Sequence, residues 1–230
     1  MKNIEITLYD IFGYLIPGCV TFVGIYLIAW RIVLPLDQDW SNVSTAGWAV
    51  TLGAAYVIGH FVQALSNILG DFGLKNAEES ILADTSLVPS SMIPLAQKAA
   101  RRAIGLSGNS SLNLKALYEI MDHYILQHGR TDSRDLYVYR EGFYRGLSMG
   151  LFLLAIGSLI HMTGGQTTIA IFGCCITVTK ARMAFAAILS AIMALFGFAR
   201  YRRFVIYRVK NCLFSFLAIY KTAEKRGALC

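Results

Sequence analysis

Long apolar runs constrain this chain more than any other feature of its sequence. Two of them, residues 11–34 and 46–69, exceed the roughly 20 apolar residues that a helix needs to cross a bilayer. Two shorter runs, residues 146–162 and 183–199, lie within the lower part of that range. Composition agrees, because 56% of the residues are hydrophobic and only 15% are charged. The sequence therefore predicts an all-α integral membrane protein with about four transmembrane helices, and it excludes a disordered chain or an ordinary cytosolic domain.

These runs divide the chain into four parts. We predict an N-terminal transmembrane hairpin over residues 1–69, a cytoplasmic helical insert over 70–145, a C-terminal transmembrane hairpin over 146–199 and a basic amphipathic cytoplasmic tail over 200–230.

The distribution of charge orients the predicted spans. The insert balances nine Lys and Arg residues against nine Asp and Glu residues, whereas the tail carries eight bases and one acid. Asp37 and Asp39 lie in the loop between the first two spans. Because basic loops stay in the cytoplasm, we expect both termini and the insert there. Lys180 and Arg182, between the last two spans, argue against this orientation.

The connecting segments give further local predictions. Pro94 can occupy the first turn of a helix, where its missing N–H is not needed. Asn113 or Ser111 can cap a helix that ends near residue 127, and another helix, from about residue 133, should run into the third span. The apolar segment 168–178 is too short to span, so three conformations remain open: a hairpin, a re-entrant piece that enters the bilayer, and an extension of a neighbouring helix.

Polar residues in the second span are the strongest candidates for a functional site. His60, Gln63 and Asn67 recur at helical spacing and share one face. Because polar groups in hydrocarbon are costly, this face should point at other helices or at water. It can supply interhelical hydrogen bonds or line a pore or proton path. A catalytic or metal-binding role for His60 is the third alternative.

Two further features suggest a gate. Pro17 and Gly18 interrupt the first span with a missing backbone donor and a flexible residue, which predicts a kink. Asp10 and the pair Arg140 and Arg145 should lie at the same cytoplasmic level of the membrane. We predict that these opposite charges pair and couple the insert to the spans.

Bases alternate with bulky apolar residues in the tail. This pattern predicts an interfacial helix or an extension of the fourth span, with its bases at anionic lipid headgroups; a nucleic-acid patch is the alternative. The bases assigned to headgroups are Arg200, Arg202, Arg203, Arg208 and Lys210.

No catalytic or metal-binding motif stands out in the sequence. The five cysteines form no CxxC pair and have no Cys/His ligand spacing. The P-loop, GxGxxG and HExxH patterns are also absent from the sequence. We therefore expect no enzymatic activity, no metal and no cofactor.

Two motifs carry a resemblance to known proteins. YDIFGYLIPG (residues 9–18) and REGFYRGLS (residues 140–148), together with the helical insert, resemble uncharacterised multi-spanning inner-membrane proteins of bacterial anti-phage defence loci. Some of these are accessory proteins encoded beside RNA-guided RNA-targeting effectors. The resemblance implies an effector in the bacterial inner (cell) membrane that acts when a partner senses infection. No site residue is carried over from it.

Together these patterns predict a homo-oligomeric pore or membrane-perturbing protein. Four short spans enclose little space, so a conduit would need several copies. The insert would receive its signal from a cytosolic defence protein or a nucleotide. The alternative is a non-conducting membrane anchor or adaptor that recruits a cytosolic defence protein.

Overall fold

A computed structural model describes most of the chain. The described residues are 2–32, 43–73, 76–106, 111–128, 132–164, 167–171 and 174–225. Of these, residues 2–10, 30–32, 69–73, 132–133, 167–171 and 174–176 are described by their backbone alone.

The described residues form seven helices and one two-stranded hairpin. The elements in chain order are α1 (Lys2–Ile32), α2 (Thr45–Gly73), α3 (Ala77–Ala83), α4 (Met92–Ala103), α5 (Leu114–Gln127), α6 (Asp132–Met162), β1 (Thr167–Ile171), β2 (Cys174–Val178) and α7 (Lys180–Lys225).

Four of the helices, α1, α2, α6 and α7, are long and apolar enough to cross a membrane. The prediction of a largely helical chain with four candidate spans is confirmed as far as helix length and apolar composition are concerned. Two of these helices also continue well beyond their apolar runs. α6 has 31 residues and begins before its run, and α7 has 46 residues and continues after its run.

The segment between α6 and α7 forms an antiparallel hairpin, one of the three conformations that the sequence left open. Thr167 of β1 lies opposite Val178 of β2, and Ile171 lies opposite Cys174. Its β-branched residues suit extended strands.

The chain separates into two compact units. Unit 1 comprises Met1–Asp71 and Gly142–Tyr201, and unit 2 comprises Phe72–Glu141 and Arg202–Cys230. The apolar runs of the sequence predicted the insert and the tail as separate parts. In the structure both contribute to unit 2, because the second half of α7 supplies part of its core.

Unit 2 is built around α5, which packs against α3 and α4. The Asn113 side chain caps α5 by accepting a hydrogen bond from the Ala116 N–H at 2.7 Å, and Pro94 lies in the first turn of α4. Both local predictions are confirmed. The core side chains with no exposed surface include Ala96, Leu117, Met121, Val209, Leu213 and Phe216.

Candidate functional site

Two of the three candidate residues predicted on the polar face of α2 lie at the surface. His60 and Asn67 are exposed, and Gln63 is half-buried. The His60 ring stacks on the Tyr14 ring of α1, with centroids 3.8 Å apart. It also meets the Tyr56 ring edge-on at 4.7 Å. The polar face of α2 therefore reaches the outside of this helix group, beside a small aromatic cluster.

Gln63 differs because its side chain lies against glycines of α6. A Cβ atom built on Gly142 would fall 3.0 Å from the Gln63 Nε2 atom, and one on Gly146 would fall 2.9 Å from Oε1. The Ser66 hydroxyl donates a hydrogen bond to the Gln63 main-chain carbonyl at 2.8 Å. The amide of Gln63 therefore fills the space that two glycines leave between α2 and α6.

Helices α1 and α2 approach each other closely at two glycines. A Cβ atom on Gly18 would overlap the carbonyl oxygen of Ala55, and one on Gly59 would overlap the carbonyl oxygen of Tyr14. A Cβ atom on Gly13 would instead meet nothing within 4 Å. Gly18, which we singled out as part of a kink, is therefore a point where two helix backbones touch.

Pro17 lies inside α1 with its side chain fully buried, and the helix continues past it. The Thr21 hydroxyl donates to the Pro17 carbonyl at 2.8 Å. Ser148 and Ser158 of α6 likewise donate to carbonyls four residues earlier, at 2.7 and 2.8 Å. Each of these hydroxyls therefore donates its hydrogen bond within its own helix.

The predicted charge pairing involves residues on α1 and α6. The Asp10 side chain lies outside the described part of the chain, so its pairing with Arg140 or Arg145 stays a prediction. The Arg140 guanidinium carbon lies 5.7 Å from the centroid of the Phe204 ring, and that of Arg145 lies 5.7 Å from the Tyr201 centroid. Both arginines thus make cation–π contacts with aromatic rings of α7.

The five tail bases do not share one environment. The tail is a continuation of α7, one of the two conformations that the sequence left open. Arg200, Arg202 and Arg203 are exposed, and Lys210 is half-buried. The side chain of Arg208 is only 17% exposed.

Arg208 is the centre of an internal polar network in unit 2. Its Nε donates to Glu141 Oε2 at 2.8 Å, and its Nη2 donates to Glu78 Oε1 at 3.0 Å. Its Nη1 donates to the Tyr118 hydroxyl at 2.6 Å. One guanidinium therefore joins residues of α3, α5, α6 and α7. This corrects the headgroup prediction for Arg208, whose donors face carboxylates of its own chain, of which Glu141 is buried and Glu78 is half-buried.

Two more features concern the polar side chains of unit 2: the ionisation of Tyr118 and a second ion pair. Burial raises the pKa of Tyr118 above its usual range, and the positive charge of Arg208 partly offsets this rise, so the phenol stays neutral at physiological pH. Arg134 of α6 makes a bidentate ion pair with Asp122 of α5, at 2.6 and 2.8 Å. Neither the partners of Arg208 nor the pair of Arg134 with Asp122 was predicted from the sequence.

The fold and these contacts define a class: a helical protein with one group of candidate membrane spans and a second, ion-paired unit. Among the described residues, no group of three or more His, Cys, Asp or Glu side chains is placed to hold a metal ion. The chain matches no protein-family model, no curated protein and no solved structure. Its function is therefore inferred from its own residues.

Proposed function

We propose that this protein is a bacterial inner-membrane effector of anti-phage defence that forms an oligomeric, gated pore or otherwise perturbs the membrane. Both termini and the insert lie in the cytoplasm in this proposal. The insert receives the activating signal from a cytosolic defence protein or a nucleotide, and no enzymatic step or cofactor takes part.

The exposure of His60 and Asn67 carries the pore in this proposal, and the defence role rests on the resemblance of residues 9–18 and 140–148. His60 and Asn67 both belong to the candidate span Thr45–Ile68, and both are exposed in a single copy of the chain. Polar groups that face hydrocarbon are costly, so within spans they normally face other helices or water. A second copy or a water-filled path is therefore needed to cover them. An oligomeric pore supplies both.

The surface of α2 next to this pair supports the same interpretation. Val57, Phe61 and Ile68 are 52%, 71% and 57% exposed, and they form an apolar stripe suited to lipid. Ala55, Gly59 and Val62 of the same helix are buried. The polar pair lies between the apolar stripe and the packed face, where a pore-lining surface would meet a neighbouring subunit.

Inner-membrane potential tests the proposal in cells that produce the protein with its genomic neighbours and are then infected. The test variant is His60→Leu with Asn67→Leu, and the matched control is Phe61→Leu with Ile68→Leu on the exposed stripe. We expect a voltage-sensitive dye to report depolarisation for the wild type and the control. The test variant should not depolarise the membrane at equal protein levels.

Gln63→Leu is measured separately, because this side chain packs against α6 and its loss can act through folding. An unchanged potential in every strain, infected or not, would contradict the pore. That result would favour the non-conducting anchor or adaptor that recruits a cytosolic defence protein.

A further inference from the structure

The hairpin between α6 and α7 has open edges. In the described part of the chain its sheet has two strands, so each strand keeps one edge without a strand neighbour. A lone two-stranded hairpin is marginally stable in water, and an open edge in hydrocarbon leaves backbone groups unsatisfied. Residues 167–178 also contain no charged residue that would discourage pairing with another chain.

The register identifies which backbone groups point outward. Thr168 lies opposite Thr177, and Ala170 lies opposite Cys175. In an antiparallel pair, residues that bond across the ladder alternate with residues whose N–H and C=O groups face the outer edges. The Thr177 carbonyl accepts a hydrogen bond from Arg182 Nη1 at 2.6 Å, so it points away from β1. Thr168 and Ala170 therefore direct their backbone groups to the outer edge of β1.

The two edges differ in how accessible they are. On β2, Arg182 already occupies the carbonyl of Thr177 and places a charge beside the strand. Charged side chains at a sheet edge oppose the addition of another strand. The outer edge of β1 has no such cap among the described residues, which makes it the favoured edge for pairing.

We infer that β1 of one copy pairs antiparallel with β1 of a second copy, about a two-fold axis at Ile169. Thr168 of each copy then lies opposite Ala170 of the other, and both outward-facing residues exchange hydrogen bonds. The result is a four-stranded sheet in the order β2–β1–β1–β2 with a self-complementary interface. This inference rests on the oligomeric assembly in the proposed function and is independent of conduction.

Cysteine cross-linking tests this pairing directly. All native cysteines are replaced, and Ile169→Cys or Ile176→Cys is introduced into the full-length protein in membranes. These positions are matched because they are partners across the hairpin. In the proposed dimer, position 169 of one copy lies opposite position 169 of the second copy at the two-fold axis, within the reach of a disulfide. We expect oxidation to give a reducible dimer with Ile169→Cys and none with Ile176→Cys.

The other outcomes overturn the two-fold arrangement. A dimer with Ile176→Cys alone would mean that β2 is the pairing edge. A dimer that forms only when both variants are mixed would mean head-to-tail pairing of β1 with β2. No dimer in any combination would exclude pairing through the hairpin.

A backbone variant provides the second readout. Ala170→Pro removes an outward N–H from β1 without removing a hydrogen bond inside the hairpin. In the cysteine-free protein that carries Ile169→Cys, it should abolish most of the dimer band, whereas the matched change to proline at position 175 of β2, where the native Cys175 has already been replaced, should leave the band intact. Equal bands in both variants would contradict the inference. Because the gel does not depend on conductance, failure of the pairing is distinguished from failure of the pore.

Discussion

The two units are stabilised by different kinds of contact. In unit 1, helices touch backbone to backbone at Gly18 and Gly59, and buried hydroxyls such as that of Thr21 bond within their own helix. In unit 2, apolar side chains fill a core, and Arg208 joins three partners through its guanidinium.

These two kinds of contact are the ones expected in two different solvents, lipid and water. Lipid tails are as apolar as leucine side chains, so helices in a bilayer associate through close packing at small residues. In water, burial of apolar side chains drives folding, and a buried charge is tolerated when it is paired and hydrogen-bonded. The contrast supports the proposal that unit 1 lies in the bilayer and unit 2 in the cytoplasm.

The largest expected effect is in unit 2, at Arg208. Arg208→Met leaves Glu78 and Glu141 without their shared cation, and breaking such a pair costs about 3–5 kcal/mol. Thermal unfolding in detergent, followed by circular dichroism, should show this loss. Arg202→Met, at an exposed base of the same helix, is the matched control and should change stability by less than about 0.5 kcal/mol.

A triple variant sharpens this test. Replacing Arg208, Glu78 and Glu141 together by Met removes all three charges, and such apolar replacements are often neutral or stabilising. The triple variant should therefore recover most of the stability that Arg208→Met loses. If Arg208→Met unfolds at the same temperature as Arg202→Met, the ion-paired network does not stabilise unit 2.

The next effect is in unit 1, at the contact between α1 and α2. Gly18→Ala places a Cβ atom against the Ala55 carbonyl, and such overpacking costs about 1–3 kcal/mol. Gly13→Ala, five residues earlier in an open position, should be neutral or stabilising by up to about 1 kcal/mol because alanine favours helix. Tryptophan fluorescence during unfolding in detergent measures both. Equal stability of the two variants would contradict close packing at Gly18.

A smaller effect is expected at the start of α5. Asn113→Ala removes the acceptor for the Ala116 N–H and should cost about 1 kcal/mol. Asn113→Asp keeps a capping oxygen and should retain most of the stability. Urea unfolding in detergent compares the two, and similar losses in both variants would show that capping is not the cause.

The smallest effect is expected at the surface of unit 2. Arg102 pairs with Glu224 at 3.3 Å, but the two side chains are 57% and 52% exposed. An exposed pair contributes little, so Arg102→Ala should change stability by less than about 0.5 kcal/mol. A loss comparable to that of Arg208→Met, in the same thermal unfolding measurement, would remove the distinction between buried and exposed pairs in unit 2.

The sequence was sufficient to predict the helical framework. Apolar runs located four candidate spans because length and hydropathy are local properties. Asn113 was identifiable as a cap because an oxygen-bearing side chain preceded an apolar helical pattern. The hairpin could not be separated from the other conformations of residues 168–178, because a short apolar run has no diagnostic period.

The environment of Arg208 could be predicted only in part from the sequence. Counting bases grouped it with exposed neighbours such as Arg202, although Val205, Val209 and Cys212 recur around it at helical spacing. A base on an apolar stripe is a signal for a buried ion pair, and this signal was available. Its partners were not, because Glu78 and Glu141 come close only through the tertiary fold.

The glycine contacts were also beyond the sequence. Gly13 and Gly18 both lie in the first apolar run, and although Gly18 follows Pro17, nothing local indicates which glycine contacts another helix. Which of them meets α2 depends on the rotation of one helix against the other. The same holds for His60 and Gln63, whose shared helical face divides into an exposed part and a packed part.

Thiol accessibility tests the central claim, that His60 and Asn67 face water within the membrane. In a protein without native cysteines, His60→Cys, Asn67→Cys and the control Phe61→Cys are exposed to a charged, water-soluble thiol reagent in assembled membranes. Thiols react as thiolates in water, so positions 60 and 67 should be modified at least about tenfold faster than position 61. Equally slow modification at all three positions would contradict a water-filled path along α2.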